Sequence, residues 1–241
     1  MNTLHNFIFN VYPYICLAVF FMGSLARFDR DQYTWKSDSS QLLRAGQLRW
    51  GSNLFHGGIL FLFFGHLFGQ LTPHGLYEIF VTASQKQLIA VVAGGVAGGL
   101  CFIGLTMLLH RRLFDPRIRL TSHRTDIAIL IILWVQLVIG LSTLPASLHH
   151  VSDPQTMLRL AEYLQGIVLM QPNAALVAGI EWHFQAHMLL GMTIFLLFPF
   201  SRLVHVWSGF GTLAYLVRPY QMVRARRLNV PAGQGQPRRA G

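Results

Sequence analysis

Runs of mostly apolar residues, each close to the 20 or so needed to cross a bilayer, recur five times along the chain, at 7–26, 51–71, 88–109, 127–144 and 182–206. Each run predicts a transmembrane helix. The polar segments between them are too short to fold alone, the longest being 27–50 and 145–181. Within the second of these, Met157, Leu158, Leu160, Ala161 and Leu164 fall at helical spacing. That predicts a short helix over 155–170 lying at the membrane interface and roofing a site there. No internal repeat is present. Only 12% of residues are charged, against roughly 25% in soluble domains, and the mean hydropathy is +0.44. The expected fold class is therefore all-α: an integral membrane helical bundle of five transmembrane helices, with lipid as its surroundings. Residues 1–227 form the membrane domain, and the Gly-, Pro-, Gln- and Arg-rich tail 228–241 is expected to be disordered.

A net charge of +10 raises the question of an anionic partner, and its distribution answers it. The first ten residues carry no Lys or Arg, whereas Arg27, Arg30, Lys36, Arg44 and Arg49 follow the first span. The next connection, up to Gln85, has none. Arg111, Arg112, Arg117, Arg119 and Arg124 follow the third span, Arg159 alone occupies the fourth loop, and seven arginines lie beyond Ser201. By the positive-inside rule this alternation puts the N-terminus outside and the C-terminus in the cytoplasm. The basic excess thus reports topology, and no nucleic acid is expected as a partner.

The first run has no positive segment before it and is longer than a signal-peptide core, so it is expected to remain as an uncleaved span. Cys16 and Cys101 both fall within spans, as small buried thiols. No Cys-x-x-Cys-His occurs to attach haem covalently.

Four of the eleven histidines lie on two spans: His56 and His66 on the second, His187 and His205 on the fifth. Ionisable groups at that depth are costly and need a shared reason. The second span runs outward and the fifth runs back, so His56 and His205 share the cytoplasmic level and His66 and His187 the outer one. Each level offers one imidazole from each helix, the arrangement that grips a haem iron from both sides. Two axial imidazoles leave no open iron position, which implies electron transfer by two noncovalent b-type haems. The helical steps do not match: the ten residues between His56 and His66 rise about 15 Å with an offset of about 80°, and the eighteen between His187 and His205 rise about 27 Å. Pro199 is the expected kink that absorbs the difference. His183, one turn before His187, is a rival ligand without a partner at its level. His149 and His150 are adjacent in a loop and are expected to be solvent-exposed.

Glycines cluster on the second span (Gly57, Gly58, Gly65, Gly69) and the third (Gly94, Gly95, Gly98, Gly99). Both close helix packing and room for a flat cofactor fit them.

These residues resemble a known family, the gamma subunit of respiratory nitrate reductase, a dihaem cytochrome b that anchors its complex. The likeness runs through Tyr12-Pro13-Tyr14, Gln32-Tyr33-Thr34-Trp35, Ser52-Asn53-Leu54-Phe55-His56, Gly65-His66, Leu71-Thr72-Pro73-His74 and Arg111-Arg112-Leu113-Phe114. It continues through His187, Gly191-Met192-Thr193, Phe198-Pro199-Phe200-Ser201-Arg202-Leu203, His205 and the basic segment 220–226. The loop 145–181 and the residues after Arg227 match weakly.

The resemblance implies two bis-histidine b haems, with His56 and His205 as ligands of the inner one and His66 and His187 of the outer one. It implies quinol as substrate, oxidised at the outer face beside Gly65, His66 and Lys86, with its protons released outside. Lys86 fits a quinone contact, and it also fits a boundary lysine with its ammonium in the interface. Arg111, Arg112 and Arg202 fit partners for the inner haem propionates, although the positive-inside rule alone accounts for arginines there. The implied partners are a cytoplasmic iron–sulfur (beta) subunit and a molybdenum-containing catalytic (alpha) subunit that carries the nitrate chemistry. The implied location is the bacterial cytoplasmic (inner) membrane. The runner-up is a dihaem cytochrome b anchor of another quinone-linked enzyme, such as a hydrogenase or a heterodisulfide-type reductase; a transporter or passive anchor without haem is the third reading.

Overall fold

The structure is a computed structural model that describes residues 2–30 and 43–208. The positions Gln32-Tyr33-Thr34-Trp35 and Lys36, the basic segment 220–226 and the tail 228–241 lie outside these. Met1–His205 forms one compact unit and Val206–Gly241 another, of which only residues 206–208 are described.

Among the described residues the secondary structure is helical, with no strand. Five helices are long and apolar enough to span a membrane: α1 (Thr3–Arg30), α2 (Ala45–Leu71), α3 (Ala83–Phe114), α4 (Arg124–His149) and the segment Trp182–Phe200. The last consists of an α-helix, α6 (Trp182–Leu197), and a 3₁₀ turn, Phe198–Phe200. Between α4 and α6 lies α5 (Gln155–Val168), within two residues of its expected bounds. The first four spans extend past their apolar runs because local chemistry continues the helix. Before α3, for example, Thr82 and Gln85 form a capping box, the Thr82 hydroxyl accepting from the Gln85 amide at 3.3 Å and the Gln85 side chain accepting from Thr82 N–H at 2.9 Å.

The fifth span departs from expectation. A helix was expected up to Val206, but the α-helix ends at Leu197. Pro199 has no N–H to continue the ladder and its ring clashes with the carbonyl four residues back. The chain passes through 3₁₀ turn Phe198–Phe200, becomes extended at Ser201 (φ −122°, ψ 177°), and re-forms a turn at Arg202–Val204. Arg27 of α1 donates from one guanidinium nitrogen to the carbonyls of Pro199 (2.7 Å) and Ser201 (2.9 Å), which the break has released from the ladder. The expected kink is thus a redirection of the chain, and a straight-helix rise does not apply between His187 and His205.

Packing follows the order α2–α3–α4–α6–α1. The α2–α3 seam is the closest because glycines line it: a Cβ on Gly58 would sit 2.7 Å from the Ala97 carbonyl and from Cys101. That accords with the small-residue rule for membrane helices. α5 touches α2 and, through fully buried Tyr163, α1; the Tyr163 hydroxyl donates to the Phe9 carbonyl at 2.7 Å. This places α5 in a packed cluster with Phe9, Ala174 and Val177. α2 and α6 share no extensive seam among the described residues.

Candidate functional site

The imidazoles of His56 and His205 face each other with ring centroids 6.2 Å apart, and those of His66 and His187 do the same at 6.2 Å. The ring planes are inclined by 75° in the first pair and 40° in the second. The level pairing expected from charge alternation is therefore the pairing the fold makes. The 80° offset on α2 does not prevent it, because His187 comes from α6 and His205 from the redirected chain beyond the break, where it opens the helical segment 205–208.

All four rings are held in the same sense. The Nδ1–H of His56 donates to the Ser52 carbonyl (2.8 Å), with the Ser52 hydroxyl also 3.1 Å away. His66 Nδ1 donates to the Leu62 carbonyl (2.7 Å), His187 Nδ1 to the Gln136 carbonyl (3.2 Å) and His205 Nδ1 to the Arg202 carbonyl (2.6 Å). A proton held on Nδ1 leaves Nε2 with its lone pair, the form in which a neutral imidazole binds a metal. His183 differs: its buried Nδ1 has no hydrogen-bond partner among the described residues, and its ring stacks on Trp182 at 4.9 Å. The local chemistry thus favours His187 over its rival.

The spacing fits a metal between each pair. Metal–imidazole bonds of about 2.0 Å on both sides, plus about 1.1 Å from nitrogen to ring centre, separate the centroids by about 6.2 Å. Among the described residues no group of three or more His, Cys, Asp or Glu could hold an ion. Two opposed imidazoles can satisfy a metal only if another molecule supplies the remaining ligands, as the equatorial nitrogens of haem do. Space for a flat ring system lies on α2 itself, where a Cβ at Gly57 or Gly65, each beside a histidine, would touch nothing within 4 Å. Gly58 thus serves close packing, whereas Gly57 and Gly65 face open space.

α4 bears none of the four histidines but contacts His187 directly and, through Asp126, Arg202. Gln136 returns the bond it receives, its side-chain amide donating to the His187 carbonyl at 3.0 Å. A Cβ on Gly140 would lie 2.7 Å from Cε1 of His187. Near the opposite end of α4 the buried carboxylate of Asp126 accepts from Arg202 Nε at 2.6 Å and lies 3.7 Å from an Arg112 guanidinium nitrogen. Arg112 also donates to the Ser122 hydroxyl (2.9 Å), and buried Arg111 donates to the Leu43 carbonyl (2.7 Å). Arg112 and Arg202 thus converge on one carboxylate at the end that carries His205. Sequence reasoning missed Asp126, Gln136 and Gly140. The signals were an acidic residue at the mouth of an apolar run and one amide inside it.

Lys86 lies in the first turn of α3 with its Nζ 3.6 Å from the centroid of the Tyr77 ring. It forms no side-chain hydrogen bond or ion pair among the described residues. The structure therefore joins Lys86 to Tyr77, and His66 to His187, with Gly65 next to His66 in sequence. Tyr77 is buried, and desolvation pushes its phenol above the ordinary range. Just before it, Leu76 helps line an apolar groove of about 300 Å³ with Leu67, Phe68, Leu71, Thr72 and Pro73.

Five apolar helices and two facing histidine pairs, each ring with its Nδ1 engaged by a backbone carbonyl, define a multi-pass membrane protein of the cytochrome b kind. The chain belongs to the nitrate reductase gamma subunit family, whose profile matches residues 5–226. It is 50% identical to the respiratory nitrate reductase 2 gamma chain of Escherichia coli (strain K12) and 48% identical to the respiratory nitrate reductase 1 gamma chain of the same organism. Each match covers 94% of this chain and 100% of the relative. The nitrate reductase gamma chain of Bacillus subtilis (strain 168) is 36% identical over 91% of this chain and 97% of its own length. The chain is accordingly a membrane subunit of an oxidoreductase complex.

Proposed function

We propose that this chain takes electrons from membrane quinol at the His66–His187 end and delivers them at the His56–His205 end to a cytoplasmic iron–sulfur subunit, which feeds a molybdenum-containing nitrate-reducing subunit. The two histidine pairs, each spaced at 6.2 Å with Nδ1 engaged, carry this reading. His56 and His205 would hold one b haem and His66 and His187 a second, each haem supplying a one-electron relay. The charge alternation supports an external N-terminus and a cytoplasmic C-terminus in a bacterial inner membrane, so the His66–His187 end faces outward.

Each residue has a defined task. The carbonyls of Ser52, Leu62, Gln136 and Arg202 hold the ligating tautomer and aim Nε2 across the gap between α2 and α6. Gly57 and Gly65 keep a flat ring system from meeting a side chain. The groove from Leu67 to Leu76 offers an apolar wall for a quinol ring and tail near His66. Lys86, held over Tyr77, supplies a cation for a quinone oxygen, and protons released there leave on the outer side. At the basic end, Arg111, Arg112 and Arg202 would bind the propionates.

The test is spectral and then kinetic. Membranes holding the whole complex should show two b-type signals reducible by quinol; His66→Ala or His187→Ala should remove one and abolish quinol oxidation. His56→Ala or His205→Ala should remove the other and leave a quinol-reducible signal that no longer passes electrons to nitrate. A complex that assembles without any b-type signal would overturn the reading.

A further inference from the structure

One buried charge is not used by either histidine pair. Asp126, 4% exposed, lies in the first turn of α4. Its Oδ1 accepts from Arg202 Nε at 2.6 Å; its Oδ2 accepts from the His123 backbone N–H at 3.3 Å and lies 3.7 Å from Arg112. Arg202 is also the residue whose carbonyl receives the His205 Nδ1–H. We propose that Asp126 is the positioning residue for His205, acting through Arg202. This rests on reading His56 and His205 as a metal-ligating pair.

The need for such an anchor follows from the break in the last span. His187 is carried by an uninterrupted α-helix, whereas His205 follows extended Ser201 and a three-residue 3₁₀ turn. Short 3₁₀ turns have poorer hydrogen-bond geometry than α-helix and fix direction weakly. Arg27 secures the chain before the turn, through Pro199 and Ser201. Asp126 secures the turn itself, through the side chain of the residue that also fixes the tautomer of His205. Asp126 and Arg202 are both largely shielded from water, and removing the carboxylate would leave the Arg202 Nε donor buried without its ionic partner, so the pair holds its geometry strongly. The carboxylate on α4 therefore sets both where the His205 ring stands and which nitrogen it presents.

The test uses membranes containing the assembled complex, read by electron paramagnetic resonance and by redox titration of each b-type signal. Asp126→Asn should displace the low-field line and the midpoint of one signal only, the one that His205→Ala removes. Arg202→Gln should move that same signal, and the double variant should move it no further than Arg202→Gln alone. Asp126→Glu, which keeps the carboxylate, should restore part of the native signature. Assembled Asp126→Asn with both signals native, both signals moved alike, or additive effects in the double variant would each overturn the proposal. If Asp126→Asn does not accumulate, Arg202→Lys keeps the cation but loses the Nε donor and carries the same readouts, with the same consequences. Failure of His205→Ala to remove any signal would instead sink the ligand reading.

Discussion

His187 stands where Gly140 leaves off: a Cβ on Gly140 would lie 2.7 Å from Cε1 of the imidazole and 3.2 Å from its Nδ1. The ring cannot retreat freely, because Gln136 holds its Nδ1–H and its own backbone carbonyl. Gly140→Val should therefore overpack this seam at a cost of about 1–3 kcal/mol. Its expected signature is loss or displacement of the signal assigned to His66 and His187, with the other retained. A reduced-minus-oxidised spectrum of membranes containing the complex checks this.

His183 and His187 make a direct comparison on one helix. With no acceptor for its buried Nδ1 among the described residues, His183 lacks the orientation that the four paired rings share. His183→Ala should keep both b-type signals, while His187→Ala loses one. The reverse result would reassign the ligand.

Lys86 and Tyr77 are coupled by a cation–π contact at 3.6 Å, an interaction of about 0.5–2 kcal/mol. Lys86→Ala should raise the KM for quinol while leaving both spectral signals intact. Tyr77→Phe, which keeps the ring, should bind quinol as the native chain does, and Tyr77→Leu should weaken binding by about 2- to 30-fold. Steady-state kinetics with a soluble quinol analogue separates the three.

Glu181, just before α6, meets His150 from the end of α4 at 2.8 Å. Its carboxylate is held below the ordinary range by its own backbone N–H and by His150. A depressed folded-state value means that the carboxylate contributes stability above its unfolded value of about 4.3 and loses it as pH falls through the folded value. Glu181 is well solvated, so the effect is small. Melting of the detergent-solubilised complex should show Glu181→Gln below the native chain at neutral pH, and the gap should close under about pH 4.

The position of α5 shows one limit of what sequence conveys. Met157, Leu158, Leu160, Ala161 and Leu164 announced an amphipathic helix, and one is present at Gln155–Val168. The residues that anchor it include Tyr163, whose hydroxyl reaches Phe9, 154 positions away. Periodicity along the chain carries no information about such a partner. The same holds for Arg112 and Arg202, whose basic character matched topology while their shared carboxylate stayed unseen.

The sequence by itself determined the five spans, because bilayer thickness sets the length of an apolar run, and the charge alternation along it led to the expected pairing of His56 with His205 and His66 with His187, the pairs whose rings face each other. Tertiary structure alone decided how the rings meet. The break at Ser201, the seat of His187 on Gly140, the Gln136 clamp and the Asp126–Arg202 pair each join residues far apart in the chain or depend on the direction of a backbone freed from its ladder. Depth is a one-dimensional quantity that composition can encode. Orientation depends on which neighbours share the space around a side chain, and only packing of the helices settles that.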